Sequence, residues 1–163
     1  MAGIALDYQF DVSPWASMLE QLAVTDFTPL MQRAGNLITT ATHHRFYLTE
    51  TPDGDKWEAS YRAETTGGTT LTDTATLRDS YTYNVLGPDA VEIGSNVEYA
   101  AIHHEGGTIK PVNGEYLTFP IGGGWARVKS VEIPARPALG ISSDDGRDLQ
   151  DMTSDFIREL IYG

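Results

Sequence analysis

Residues 133–140, Ile-Pro-Ala-Arg-Pro-Ala-Leu-Gly, constrain this chain more than any other stretch. Two prolines flank one arginine. Each proline fixes its own φ and pushes the residue before it out of the helical region. The segment must run extended and stiff, between a strand ending near Ile133 and a helix beginning near Ser143. A rigid bridge that holds one guanidinium suits a fixed polar contact, either in the core or with a neighbouring molecule. The plainest reading is a connector whose Arg136 pairs with a nearby carboxylate.

The rest of the chain supplies elements for such a bridge to join. Alternating Ile4, Leu6, Tyr8 and Phe10 predict a half-buried strand. Ser13-Pro14 is a helix start, and Trp15, Met18, Leu19 and Leu22 give that short helix an apolar stripe. Asp26 or Thr28 caps a second helix with Pro29 in its first turn. Its core positions are Leu30, Ala34, Leu37, Ile38 and Ala41, running on to Phe46. Pro52-Asp53-Gly54 is a turn, and residues 64–70 read as a polar, glycine-rich mobile loop. Thr72 or Asp73 caps a short helix through Leu77 and Ser80. Tyr81, Tyr83 and Val85, a Gly87-Pro88-Asp89 turn and residues 90–93 form an antiparallel hairpin.

Ser95 or Asn96 then caps a helix through Tyr99, Ala100, Ile102 and His103, which Gly106-Gly107 ends. Residues 109–112 and 116–119 pair as a hairpin around Asn113-Gly114, the favoured two-residue turn. Residues 125–133 form a further strand. After the bridge, Ser142 or Ser143 caps a final helix. Asp144, Asp145 and Asp148 sit near its positive end, and Leu149, Met152, Phe156 and Leu160 line its buried side. The expected fold is α+β: an antiparallel β-sheet of four to six strands with helices packed on it, in one domain covering residues 1–163.

Composition narrows the function classes. The net charge is −12, with 23 acidic against 11 basic residues. Such a surface repels nucleic acid. Without cysteine there is no disulfide framework, thiolate metal site or thiol nucleophile. No apolar run reaches the length of a membrane span, so no membrane partner is expected. The N-terminus lacks a signal-peptide pattern, and use without export is expected.

Motifs for catalysis are sparse. His103-His104-Glu105 lacks the His-Glu-x-x-His spacing that sets two imidazoles on one helix face. Adjacent helical residues point about 100° apart. The pairs His43-His44 and His103-His104 could hold a metal only if they met in space, and a metal-dependent enzyme is the reading that this would favour. Otherwise His43 and His44 add positive charge near a helix C-terminus. The Gly-Gly of residues 64–70 lacks the Gly-Lys-Ser/Thr ending of a phosphate loop, and no Gly-x-Ser-x-Gly elbow is present. No catalytic, cofactor-binding or metal-ligating residue is assigned, and no cofactor is expected.

Several landmarks resemble the phage virion morphogenesis family, the tail-completion proteins of Mu-like tailed phages. Phe46 with Pro52-Asp53-Gly54 and Trp57 resembles its Phe…Pro-Asp-Gly-x-x-Trp segment. Residues 71–80 resemble its Leu-x-x-Thr-Gly-x-Leu-x-x-Ser, with Ala75 where the family usually has glycine. Gly94, Tyr99-Ala100 and His103 resemble its Gly-x-x…Tyr-Ala-x-x-His, followed by Glu105-Gly106-Gly107. Residues 133–137 resemble its Ile-Pro-Ala-Arg-Pro, with Ala138 where phenylalanine is frequent.

The resemblance implies a structural virion protein, not an enzyme, located at the head–tail junction or head-proximal tail end and assembled in the host cytoplasm. It implies a homo-oligomeric, six-fold ring of neck or tail-completion type. Its partners would be connector or stopper proteins, the tail terminator or the tail tube, with genomic DNA passing through the lumen without specific binding. A tail terminator ring is the alternative. The resemblance also marks a variable hairpin insertion at about 107–131. Candidate subunit-interface residues are Tyr99, His103, His104, Glu105, Asn113, Trp125, Pro134, Arg136 and Pro137.

Overall fold

The computed structural model describes residue 11 and residues 13–162. The strand expected over residues 4–10 lies outside them. Helix α1, Ser13–Ala23, starts where Ser13-Pro14 predicts, but the capping acceptor is Asp11, whose carboxylate takes the Ser13 N–H at 2.9 Å. Its stripe is only partly used: Met18 and Leu22 are half-buried, while Trp15 and Leu19 are exposed. Gln21 ties α1 to the far end of the chain by donating to the Leu160 carbonyl at 2.8 Å.

Helix α2, Thr28–Leu48, is the central element. Asp26 accepts the Thr28 N–H at 2.9 Å, and proline occupies the first turn as expected. Leu30, Gly35, Ile38, Thr42, Arg45 and Phe46 are its buried positions. Thr42 is fully enclosed and satisfies its hydroxyl on the Ile38 carbonyl one turn back. The helix lies on the hairpin of β1, Tyr81–Gly87, and β2, Ala90–Ser95. Gly35 makes that approach possible: a Cβ there would run into the Tyr83 ring and come within 2.9 Å of Val91.

The core grows from the end of α2. Phe46 meets the edge of Trp57 at 5.4 Å between ring centroids and Tyr81 at 5.8 Å. Leu77, Ala100 and Ala138 complete the buried cluster, with Leu71, Val97 and Leu139 packed around it. Aromatic pairs of this kind add about 0.5–1.5 kcal/mol each beyond their burial.

Residues 64–70 are not a free loop. Helix α3, Tyr61–Thr66, takes their first half, with Ser60 accepting the Ala63 N–H at 3.2 Å and Gly67 ending it in the left-handed conformation. Helix α4, Thr76–Asp79, is shorter than expected and has no side-chain cap. Ala75 precedes it at φ 61°, a left-handed position that explains glycine in the family's motif. Helix α5, Ala100–Glu105, ends at Gly106 as expected.

The α+β class is as expected, but among the described residues the strands pair as three two-stranded antiparallel ribbons and not as one sheet of four to six strands. Strand β3, Gly107–Ile109, pairs with β6, Val131–Ile133, and β4, Leu117–Ile121, pairs with β5, Gly124–Val128. The hairpin expected around Asn113-Gly114 therefore does not form. Its turn lies at Gly122-Gly123, where φ values of 54° and 82° give the doubly left-handed geometry of a tight hairpin. The strand expected over 125–133 is divided between β5 and β6. Helix α6, Ser143–Tyr162, closes the chain.

Two substitutions test this packing. Gly35→Ala should destabilise the protein by about 1–3 kcal/mol despite alanine's helix preference, because the Tyr83 ring must give way. Urea unfolding measures it; a gain in stability would mean that α2 does not sit this close to the hairpin. Ala75→Gly should stabilise by about 0.5–1 kcal/mol by relieving the left-handed alanine, read as a raised urea midpoint with unchanged slope.

Candidate functional site

The bridge, residues 134–140, is fastened along its length. Prolines remove two backbone donors from it, so its carbonyls need donors from elsewhere. Trp57 Nε1 donates to the Pro137 carbonyl at 3.1 Å. Arg45 Nη1 donates to the carbonyls of Ala138 at 3.0 Å and Gly140 at 2.9 Å. The Arg136 N–H donates to the His103 carbonyl at 2.7 Å, joining the bridge to α5.

Among the described residues no carboxylate pairs with Arg136. Its buried guanidinium donates through Nε to the Glu58 carbonyl at 2.7 Å, with Nη2 3.5 Å from the Ala59 carbonyl. The segment after Trp57 runs without a regular ladder there, and the arginine supplies the donors that its backbone lacks. Burial lowers the Arg136 pKa, and the charge of Glu58 opposes that shift.

The carboxylate contact belongs to Arg45, which the sequence reading did not single out. Arg45 Nη2 pairs with Asp145, and both residues are buried. Asp145 also accepts the Ser142 N–H at 2.7 Å while its own N–H donates to Ser142 Oγ at 3.0 Å. This reciprocal cap fixes the start of α6, with aspartate in the place usually taken by glutamate. Burial pushes the Asp145 pKa upward, but hydrogen bonds with Ser142 and the Arg45 charge outweigh it and leave the carboxyl below its ordinary range. An arginine at a buried helical position, three residues after Thr42, was the available signal.

Beside the bridge lies an open cleft of about 360 Å³, lined by Leu71, Ala75, Leu77, Tyr99 and His103 with Arg62 and Asp73 among its polar residues. The Tyr99 ring stands edge-on to His103 at 5.9 Å. His103 Nδ1 is enclosed without a hydrogen-bond partner. Burial first, and the nearby Arg136 charge second, hold its pKa below the ordinary histidine value, so the ring is neutral at neutral pH. Among the described residues no nucleophile hydrogen-bonds to that atom. His43 lies elsewhere, with Nε2 3.1 Å from the Tyr81 carbonyl, and His44 is exposed. Among the described residues no three His, Asp or Glu side chains group as metal ligands.

The structure divides the candidate interface residues. Tyr99 and His103 share the cleft, Glu105 is exposed, and His104 is half-buried. Pro134 and Pro137 are half-buried, and Arg136 faces inward. Asn113 and Trp125 are exposed on the excursion between β3 and β6, away from the bridge in sequence and secondary structure. Other exposed apolar side chains not singled out before include Val24, Tyr47, Leu86 and Val112. Among the described residues no helix is long and apolar enough to cross a membrane.

A model of the phage virion morphogenesis family matches residues 10–158, which takes in the cleft, the bridge and most of α6. The chain belongs to that family. It is similar to the Mu-like prophage FluMu G protein 2 of Haemophilus influenzae, with 29% identity over 147 residues, covering 89% of this chain and 90% of the relative. No solved structure matches it significantly. In this virion morphogenesis protein, the arginine of the Ile-Pro-Ala-Arg-Pro landmark and the Pro137 carbonyl are hydrogen-bonded within the chain.

Asp145→Asn should cost about 3 kcal/mol at neutral pH, since it leaves Arg45 buried without a counter-charge. The folded Asp145 binds its proton less readily than the unfolded one, so its contribution is full above the ordinary aspartate pKa of 3.8 and drains away as pH falls through the lower folded value. The stability gap between wild type and variant should therefore narrow below about pH 4 in urea titrations. A gap that stays constant into acid would place Asp145 outside the ion pair.

Proposed function

We propose that this protein is a ring subunit of the head–tail connection of a tailed phage, of neck or tail-completion type, that surrounds the path of the DNA. The observation that carries the reading is the family match across nearly the whole chain, together with the similarity to a Mu-like prophage protein over nine-tenths of both lengths. The geometry supports structural work. Landmark residues such as Phe46, Trp57, Leu77 and Arg136 are buried, while large apolar side chains such as Trp15, Leu19 and Trp125 remain exposed for assembly.

The ring of this proposal is six-fold. It sits between connector or stopper proteins and the tail tube, in the virion at the head–tail junction after assembly in the host cytoplasm. The net charge of −12 suits such a place, because a negative wall does not retain passing DNA.

Electron microscopy of a lysate from phage lacking this gene separates the roles. A neck or completion subunit predicts filled heads and separate tails of uniform length. Tails of irregular length would transfer the chain to the tail terminator that caps the tube. Intact, infectious particles would sink both.

A further inference from the structure

The β4–β5 ribbon has two unlike faces. Its register places Leu117, Phe119, Ala126 and Val128 on one side, all half-buried. Thr118, Pro120, Trp125 and Arg127 lie on the other, all exposed, and Trp125 keeps 75% of its surface in contact with solvent. Arg127 is held over the Tyr116 ring at 4.2 Å, which orients its charge beside the tryptophan. Tryptophan, tyrosine and arginine are the residue types that dominate protein interfaces.

The charge of this excursion is opposite to that of the chain. Residues 107–131 contain Lys110, Arg127 and Lys129 against the single carboxylate Glu115, in a protein of net charge −12. Among the described residues none of these three cations has a carboxylate within ion-pair distance. The complementary surface is on α6. Asp148, Asp151, Asp155 and Glu159 are all exposed and recur every three or four residues, within an arc of about 80°. Arg158 pairs with Asp155, and the rest of that stripe repels itself.

We infer that the outer face of the β4–β5 ribbon docks on the acidic stripe of α6 in a second copy of this chain, with Trp125 as the apolar anchor and Arg127 and Lys129 as the charged contacts. Donor and acceptor faces differ, so each copy offers one of each. Contacts of that kind run head to tail and close into rings when the rotation allows. The inference rests on the ring reading above and names the contact that builds it. DNA is the weaker occupant, because the chain as a whole carries a net charge of −12 and repels it.

Sedimentation velocity of the full chain, from about 10 μM to 1 mM and at about 50 and 500 mM salt, tests it. The expected result is self-association that weakens about tenfold or more at high salt. Trp125→Ala and the double variant R127E/K129E should each weaken it by about tenfold or more. D151K/D155K should do the same, and mixing it with R127E/K129E should restore association that neither shows alone. Circular dichroism checks folding; should the α6 variant misfold, the solvent-facing ribbon variants decide. A wild-type chain monomeric at the highest concentration, or R127E/K129E associating like wild type, overturns the proposal. So does retardation of double-stranded DNA that R127E/K129E abolishes, which would turn the ribbon toward nucleic acid. These results are independent of the gene-deletion phenotype, so loss of this contact and loss of the neck role are told apart.

Discussion

The guanidinium of Arg45 is the group on which the rest of the structure depends. It is buried at the C-terminal end of the longest helix, where an unpaired charge would cost several kcal/mol. Ala138, Gly140 and Asp145 supply its partners, and bringing them there fixes where the bridge runs and where α6 begins. A buried ion pair contributes little over an apolar contact of equal volume. Its effect here is on which residues meet: it excludes other positions of the bridge, since each would strand the charge. The aromatic cluster of Phe46, Trp57 and Tyr81 then packs beside a bridge already located by hydrogen bonds.

Much of the fold was legible in the sequence, and the reason differs by element. The β1–β2 hairpin, α2 and α6 carry their own signals: alternation with a Gly-Pro-Asp turn, a long apolar period, and Ser142 with Asp145 at capping distance. The ribbons were not legible as drawn. Strands β3 and β6 have three residues each and are joined only after a long excursion, so no local pattern marks their pairing. Asn113-Gly114 is a favoured turn, but the longer apolar alternation around Gly122-Gly123 prevails. Helix α3 forms from a threonine-rich stretch because Ser60 caps it and Gly67 ends it, although its intrinsic preference is weak.

The candidate site was legible in part. The stiff bridge and its arginine were visible, and Tyr99 with His103 do share one cleft. The partner of Arg136 was not readable, because carbonyls leave no mark in a sequence and a chain this acidic suggests a carboxylate everywhere. Arg45 was hidden by its place in a helix whose apolar residues drew the attention. The two regions of the chain differ in character. Landmark residues such as Phe46, Trp57, Leu77 and Arg136 are buried, and the excursion between β3 and β6 carries exposed aromatic and basic groups.

The wiring of the bridge sets an order on folding. Arg45 and its carbonyl and carboxylate partners lie 93 to 100 positions apart in the chain. Closing so long a loop is slow, and it precedes any gain from the contacts it permits. During synthesis α2 leaves the ribosome long before the residues that neutralise Arg45, so its buried end stays unfinished until residue 145 has emerged. A partly made chain therefore lacks a settled core. The fold thereby keeps an incomplete chain from presenting a finished surface to anything it would bind.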